Sequence, residues 1–251
     1  MAQINENSFN GGKQMHIFKT EGSGDPDNSL KYLCEYTCEE AKQALEGLVY
    51  GTSTAKRKID GSCGLIQRSN GVWTIYQRYD DKKNKISSEE HLPENYINLP
   101  KGENPDTYKS DYRNRHNNEN PLHHYYFKRI ERNPPSVGEK KISDSVYSIV
   151  DNMTRVLDKD IYSVELVGPN FNRTPTCEKN GIALHEDQVI LHNDFPKENT
   201  CESWHTWLFD YFSTFPDEGI IVCHKNKYWK IHSNKFLQNL RGNYSAPNLL
   251  F

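Results

Sequence analysis

The chain has 251 residues, enough for one large domain or two small ones, and a formal net charge of −3. That balance excludes a molecule that binds polyanions over its whole surface, so any nucleic-acid site has to be a local basic patch. Aromatic residues make up 12% of the chain and no long apolar run occurs, which predicts a packed core and no membrane span.

The N-terminal region predicts a tail, a strand and a helix. Residues 1–14 are polar, rich in Asn and Gly, and lack the apolar segment of a signal peptide, so a flexible tail is expected. A short strand is predicted at Met15. A helix is predicted after Thr37, because Thr37 and Glu40 match a capping box, and Gly47 is its predicted end.

A β-hairpin is the clearest short-range signal that follows. Asn70-Gly71 separates two strand-like runs, from Ser62 to Gln67 and from Val72 to Arg78. Lys58 lies just before the first run, so the hairpin would hold it on a rigid scaffold, as a nucleophile requires.

Residues 87–140 are rich in Asn, Pro, Tyr, His and charge and show little periodicity, which predicts an irregular basic and aromatic insertion. Basic groups can hold phosphates while aromatic rings stack on unpaired bases. This predicts RNA contacts by Arg113, Arg115, Tyr126, Lys128 and Arg129. The alternative is a solvated insertion whose aromatic residues pack on the core.

The second half predicts two helices and three strands. Apolar residues recur every three or four positions from Val146 to Leu157, and a second helix is capped at Thr200 or Ser203. The predicted strands are Ile161 to Val167, Gly219 to His224 and Tyr228 to His232. Helices between paired strands predict an α+β domain of mainly antiparallel sheets, covering residues 15–251.

Six cysteines are scattered along the chain, without a CxxC pair or a Cys/His quartet at zinc spacing. Reduced thiols in the cytoplasm or nucleus are the simplest interpretation.

Lys58-Ile59-Asp60-Gly61 is the stretch with the clearest chemistry. A lysine attacks phosphorus only as the free amine, and its reference pKa of about 10.4 leaves it protonated at neutral pH. Burial, a neighbouring cation or a bound metal lowers that pKa. Taken alone, Lys58 would be a surface lysine, as most lysines are.

Three charged residues further along the chain form, together with Lys58, a set of candidate site residues. Glu165 lies between apolar neighbours on a predicted strand, Glu218 precedes another, and Lys230 lies on the strand that returns. Two carboxylates and two lysines on paired strands suit the positioning of a nucleoside triphosphate with magnesium. Taken one at a time, each of these glutamates and lysines is more often an ordinary charged residue on the protein surface.

In order, these segments resemble the motifs of the covalent nucleotidyltransferases, which comprise ATP-dependent polynucleotide ligases and mRNA-capping guanylyltransferases. The matching residues are Lys58-Ile59-Asp60-Gly61, Arg78, Glu165, Glu218-Gly219 and Lys230. The wider segments around them, such as Glu165 to Asn172, are similar to the animal 5′-to-3′ RNA ligase family. The resemblance covers roughly residues 56–236, and residues 87–140 are unmatched.

The resemblance implies an ATP-grasp-like domain that uses ATP and Mg²⁺ or Mn²⁺ to seal RNA with 5′-phosphate and 3′-hydroxyl ends, in RNA repair. A covalent lysyl-AMP intermediate is implied. By position, the implied roles are nucleophile for Lys58, α-phosphate contact for Lys230, nucleotide contact for Arg78, ribose or metal contact for Glu165, metal support for Glu218, and shaping of the loop for Asp60 and Gly61.

Two positions depart from many relatives. His232 stands where a second lysine is common, an arrangement that the animal-type ligases share, and Arg57 precedes the nucleophile where Glu is common. The chain ends soon after Lys230, so no C-terminal oligonucleotide-binding barrel is expected, which disfavours a capping-type guanylyltransferase. A non-catalytic module that binds RNA ends or nucleotides is the remaining hypothesis.

Overall fold

The computed structural model describes residues 14–21, 31–81, 92–98, 124–153, 156–171, 178–190, 194–215 and 217–236. Within these ranges the fold is α+β, with mostly antiparallel strands and three α-helices. The predicted fold class is confirmed at this level. The described strands do not close into a barrel.

The strands in chain order are β1 (Met15–His16), β2 (Phe18–Thr20), β3 (Tyr32–Tyr36), β4 (Ser53–Lys58), β5 (Ser62–Ser69), β6 (Val72–Asp81), β7 (Tyr96–Asn98), β8 (His124–Arg129), β9 (Ile161–Val167), β10 (Gly181–Leu184), β11 (Gly219–His224) and β12 (Lys227–His232). The helices are α1 (Glu39–Val49), α2 (Val137–Asp151) and α3 (Cys201–Thr214). One sheet has the order β1-β12-β11-β4, the second has the order β10-β9-β5-β6-β8-β7, and β2 pairs with β3.

The first sheet, β1-β12-β11-β4, packs one face on α1 and α3. Trp229 and Ile231 of β12 are buried in this core together with Trp204 of α3. Because successive side chains of a strand point to opposite faces, Lys230 is directed to the other face of the sheet.

The second sheet, β10-β9-β5-β6-β8-β7, likewise packs one face on a helix, in this case α2. Val164 and Leu166 of β9 are buried in a core shared with Val146 of α2. Alternation therefore directs Ser163 and Glu165 away from this core. Each sheet thus has a helix-backed face that makes it rigid and a second face that carries polar side chains.

Both predicted hairpins are confirmed. Asn70 and Gly71 have φ values of 50° and 78°, the left-handed pair that a two-residue hairpin turn requires. The second hairpin turns at Lys225 and Asn226, with φ values of 46° and 61°, so β12 begins one residue before the predicted start at Tyr228. Thr200 caps α3 as predicted.

The predicted ends of α1 were wrong. Thr37 does not cap the helix, because its hydroxyl donates to the carbonyl oxygen of His16 at 2.8 Å, and Cys38 is the N-cap. Gly47 lies inside the helix and is buried. A Cβ atom there would lie 2.0 Å from Ser53 Oγ, so this glycine allows α1 to approach β4 rather than ending the helix.

Ordered elements lie at both ends of the stretch predicted to be irregular, residues 87–140. These are β7, β8 and the first turn of α2, which begins at Val137 with Ser136 as its N-cap. Residues 99–123, like the predicted tail up to residue 13, lie outside the described ranges. None of the described helices is long and apolar enough to cross a membrane.

Replacement of Gly219 by alanine tests the close approach of β11 to β12. A Cβ atom would lie 2.0 Å from the carbonyl oxygen of Ile231, and backbone on both strands would have to move. We expect Gly219→Ala to lower the free energy of unfolding by about 2 kcal/mol or more, measured by chemical denaturation.

Gly138→Ala is the matched control, because in the first turn of α2 its Cβ atom would meet nothing closer than Ser136 Oγ at 3.8 Å. This variant should be neutral or slightly more stable. Equal destabilisation by the two substitutions would contradict the packing argument.

Candidate functional site

A cleft of about 500 Å³ is lined by both sheets. This volume lies within the roughly 300–1,000 Å³ typical of small-molecule sites. Seven predicted site residues line it: Lys58, Asp60, Gly61, Arg78, Glu165, Glu218 and Lys230. Residues separated by up to 172 positions in the chain thus share one cavity.

Lys58 is the last residue of β4, where it pairs with Gly219 of β11. Its Nζ donates a hydrogen bond to Glu218 Oε2, and the two side chains are 22% and 16% exposed. Burial alone would lower the pKa of Lys58, but the carboxylates of Glu218 and Glu165 outweigh it and raise that pKa above the ordinary value. Lys58 is therefore held as an ammonium.

Three carboxylates, those of Asp60, Glu165 and Glu218, lie around Lys58. Burial raises the pKa of Asp60 and of Glu218, and the charge of Glu165 adds to both effects. Lys58 opposes these shifts but cannot balance three carboxylates. A divalent cation that prefers oxygen ligands would relieve the repulsion, so the donor set fits Mg²⁺ or Mn²⁺.

Glu218 is fixed from its backbone and its side chain. Its carbonyl oxygen accepts hydrogen bonds from the Ser233 backbone N–H at 2.9 Å and from Ser233 Oγ at 3.0 Å. The second carboxylate oxygen of Glu218, Oε1, lies 3.6 Å from His232 Nδ1. The carboxylate is thereby held between Lys58 on one side and His232 on the other.

Glu165 has a partner that the sequence did not reveal. His185, which begins a 3₁₀ turn after β10, has Nε2 at 3.1 Å from Glu165 Oε2 and Nδ1 at 2.6 Å from Ser163 Oγ. The ring is therefore fixed by both nitrogens and orients the carboxylate. No local pattern marks His185, because β10 brings it beside β9 only through sheet pairing.

Gly61 lets the chain turn from β4 into β5 against the backbone of β9. A Cβ atom at this position would lie 2.5 Å from the carbonyl oxygen of Leu166 and 2.7 Å from Glu165 Cγ. A larger residue would displace the strand that carries Glu165. Gly61 thus sets the separation between Lys58 and Glu165.

Lys230 and Arg78 enter the cleft from the two sheets. Lys230 is only 8% exposed and lies opposite Ile221 of β11 and His16 of β1. Arg78 lies on β6, opposite Phe127 of β8. The cleft thus has cationic side chains on both sides of the carboxylates.

The side chain of Arg57 forms an ion pair with Asp217. Its Nε donates to Asp217 Oδ2 at 2.9 Å, and the Tyr211 hydroxyl donates to the same oxygen at 2.8 Å. Asp217 is buried, so this ion pair anchors β4 to the segment before β11. The cation next to Lys58 is a structural anchor of the strand.

The residues predicted to contact RNA do not form one described patch. Arg113 and Arg115 lie outside the described ranges. Tyr126 is 3% exposed, which leaves its ring no open face for stacking on a base. Lys128 and Arg129 lie on β8, and Arg129 Nε donates to Glu131 at 2.9 Å.

No protein-family model matches this chain, and no curated protein matches it at a significant level. The chemistry that the cleft can support follows from its own residues. They provide a lysine that becomes a nucleophile when it loses its proton, carboxylates that suit a divalent cation, and further cations that suit phosphate oxygens.

The protonation of Lys58 can be measured directly. Rates of acylation by a small amine reagent, followed by mass spectrometry of the Lys58 peptide across pH, report the pKa of the amine. We expect an apparent pKa above that of exposed lysines. Glu218→Gln should shift it to lower pH, since the carboxylate favours the ammonium while burial continues to oppose it.

Glu139→Gln is the control, because Glu139 is an exposed carboxylate in the first turn of α2. It should leave the profile of Lys58 unchanged. An unchanged profile in Glu218→Gln would show that the ion pair does not control the amine.

Proposed function

We propose that the chain is an ATP-dependent RNA ligase that joins 5′-phosphate and 3′-hydroxyl ends through a covalent lysyl-AMP. The supporting observation is the convergence of Lys58, Glu165, Glu218 and Lys230 in one cleft. The order of these residues along the chain matches the collinear motifs of covalent nucleotidyltransferases. The proposal includes membership of the chain in that superfamily and, within it, in the animal 5′-to-3′ RNA ligase branch.

The first step begins with release of the amine. Lys58 gives up its proton to solvent and its ion pair with Glu218, and the Nζ lone pair attacks the α-phosphorus of ATP. A nitrogen–phosphorus bond forms, the bond to the bridging oxygen breaks, and pyrophosphate leaves with the electron pair. Lys230 lies on the same cleft wall and places positive charge beside the phosphate as negative charge develops.

The next two steps use the stored AMP. An oxygen of the RNA 5′-phosphate attacks the phosphorus of lysyl-AMP, the nitrogen–phosphorus bond breaks, and Lys58 is regenerated. The product is an RNA end activated by a phosphoanhydride. A 3′-hydroxyl then loses its proton to solvent as its oxygen attacks the RNA phosphorus. The phosphoanhydride bond breaks, AMP leaves with the electron pair, and a phosphodiester bond joins the strands.

The carboxylates of Glu165 and Glu218 would hold the divalent cation, with Asp60 beside them. When bound, Mg²⁺ neutralises phosphate charge and orients the triphosphate. His185 and Ser163 keep Glu165 in a single orientation, and Ser233 and His232 hold Glu218. Rigid support of this kind makes the carboxylates ready for the cation before it binds.

Labelling with α-³²P-ATP in the presence of magnesium tests the covalent step. We expect label on the denatured wild-type protein and none on Lys58→Ala, because Lys58 is the proposed nucleophile and lies beside the carboxylates of Glu218 and Glu165. Lys227→Ala, an exposed lysine of the same sheet, should label like the wild type. Absence of label from both ATP and GTP would contradict the proposal, and label from GTP alone would replace it by capping-type activity.

The acceptor is identified by chasing the labelled protein. RNA with a 5′-phosphate should remove the label and yield adenylylated RNA and then ligated product. A DNA end of the same sequence, or an RNA end with a 5′-hydroxyl, should leave most label on the protein. Faster transfer to DNA than to RNA would contradict the assignment of RNA as substrate.

His185 is proposed as a positioning residue for Glu165. We expect His185→Ala to raise the magnesium concentration for half-maximal adenylylation by about 10–100-fold, since loss of an outer contact commonly has this effect. His185→Gln should recover most of the loss, because its amide can also donate to Glu165. A fall in stability with an unchanged magnesium requirement would show that His185 is merely structural.

A further inference from the structure

A second cluster of reactive side chains lies apart from the cleft. Cys34 belongs to β3, and Cys201 and His205 lie one turn apart on α3. The two Sγ atoms and a ring nitrogen of His205 all lie within 4.8 Å of one another. None of the three residues lines the cleft.

The imidazole of His205 is prepared to act as a ligand. Its Nε2 is buried and has no hydrogen-bond partner among the described residues, which is unfavourable for a polar atom. Phe18 and Phe236 meet the ring edge to face, with centroids at 4.6 Å and 5.1 Å, and fix its plane. In its neutral form the imidazole keeps a lone pair on one ring nitrogen, which is the group that a metal ion binds.

The two thiols share the same local environment. The Cys201 thiol forms a hydrogen bond with Cys34. A cation that binds sulfur displaces the protons of the thiols that ligate it. Two sulfurs and one imidazole select zinc over magnesium or calcium, which prefer oxygen ligands.

We propose that Cys34, Cys201 and His205 form a zinc site that clamps the β2–β3 hairpin to α3. Both thiols lose their protons to solvent as the two zinc–sulfur bonds form, and no oxidation is involved. Cys34 is exposed, so water can fill the fourth position of a tetrahedral site.

The clamp would act on the wall of the cleft through β3. The Tyr32 hydroxyl lies 2.6 Å from His16 Nδ1 and accepts a hydrogen bond from the His232 backbone N–H at 3.0 Å. His232 follows Lys230 on β12 by two residues. Fixing β3 against α3 therefore also fixes the strand that presents Lys230.

Cobalt titration of the full chain tests the site. The metal-free, reduced protein is kept in excess Mg²⁺, which saturates oxygen-ligand sites, and Co²⁺ is added. We expect thiolate-to-cobalt charge-transfer bands and tetrahedral d–d bands that saturate at equimolar metal, and equimolar Zn²⁺ should abolish them. Zinc at about a hundred times Kd should raise the thermal midpoint by about 5 °C or more.

Variants assign the ligands. Cys34→Ser removes an exposed side chain and should fold while losing the charge-transfer bands and the zinc-dependent thermal shift. Cys201→Ser and His205→Gln should do the same. Cys223→Ser, on β11, and Glu218→Gln, in the cleft, should keep both signals.

Four results would overturn the site. These are cobalt spectra without charge transfer, bands that persist in Cys34→Ser, bands that vanish in Glu218→Gln, and a Cys34–Cys201 disulfide in protein kept under reductant. None of them depends on ligase activity, so the zinc site can fail while the proposed function stands, and the reverse.

Discussion

The ion pair between Lys58 and Glu218 is the interaction on which the cleft depends. Antiparallel pairing of β4 with β11 places Lys58 opposite Gly219, so the two charges meet at the same end of the first sheet. Glycine at 219 lets β11 lie close to β12, which presents Lys230. Burial lowers the pKa of Lys58 and raises that of Glu218, and each partner opposes the effect of burial on the other, so each favours the charged form of the other.

In this arrangement the amine of Lys58 already lies in the cleft, but it is protonated and bound to Glu218. Lys58 is held as an ammonium, and in the proposed reaction nucleophilic attack requires loss of the proton and separation from Glu218. The excess of carboxylates over lysine in the immediate surroundings favours a divalent cation, whose arrival would compete for Glu218. In the proposed enzyme the same residues therefore control both the charge of the amine and the affinity for the cation.

Rigidity comes from the two helix-backed cores. In β9 and β12 the alternation of side chains buries one set, such as Leu166 and Trp229, and directs Glu165 and Lys230 into the cleft. His185 then holds the carboxylate of Glu165, and Ser233 holds the backbone carbonyl of Glu218. Charged groups that face each other across a cleft stay in place only when the strands beneath them cannot shift.

The amino-acid sequence by itself determined the α+β class, both hairpins and the main helices, because hydrophobic periodicity and turn residues act over short distances. The order of its charged motifs pointed to seven of the residues that line the cleft. The sequence failed at the start of α1, where Thr37 bonds to β1 instead of capping the helix. Only the tertiary structure decided the partners of the charges: His185 for Glu165, Asp217 for Arg57, and Cys34 beside Cys201 and His205. These contacts join segments that are distant in the chain, and sheet register and helix packing, which no local pattern encodes, bring them together.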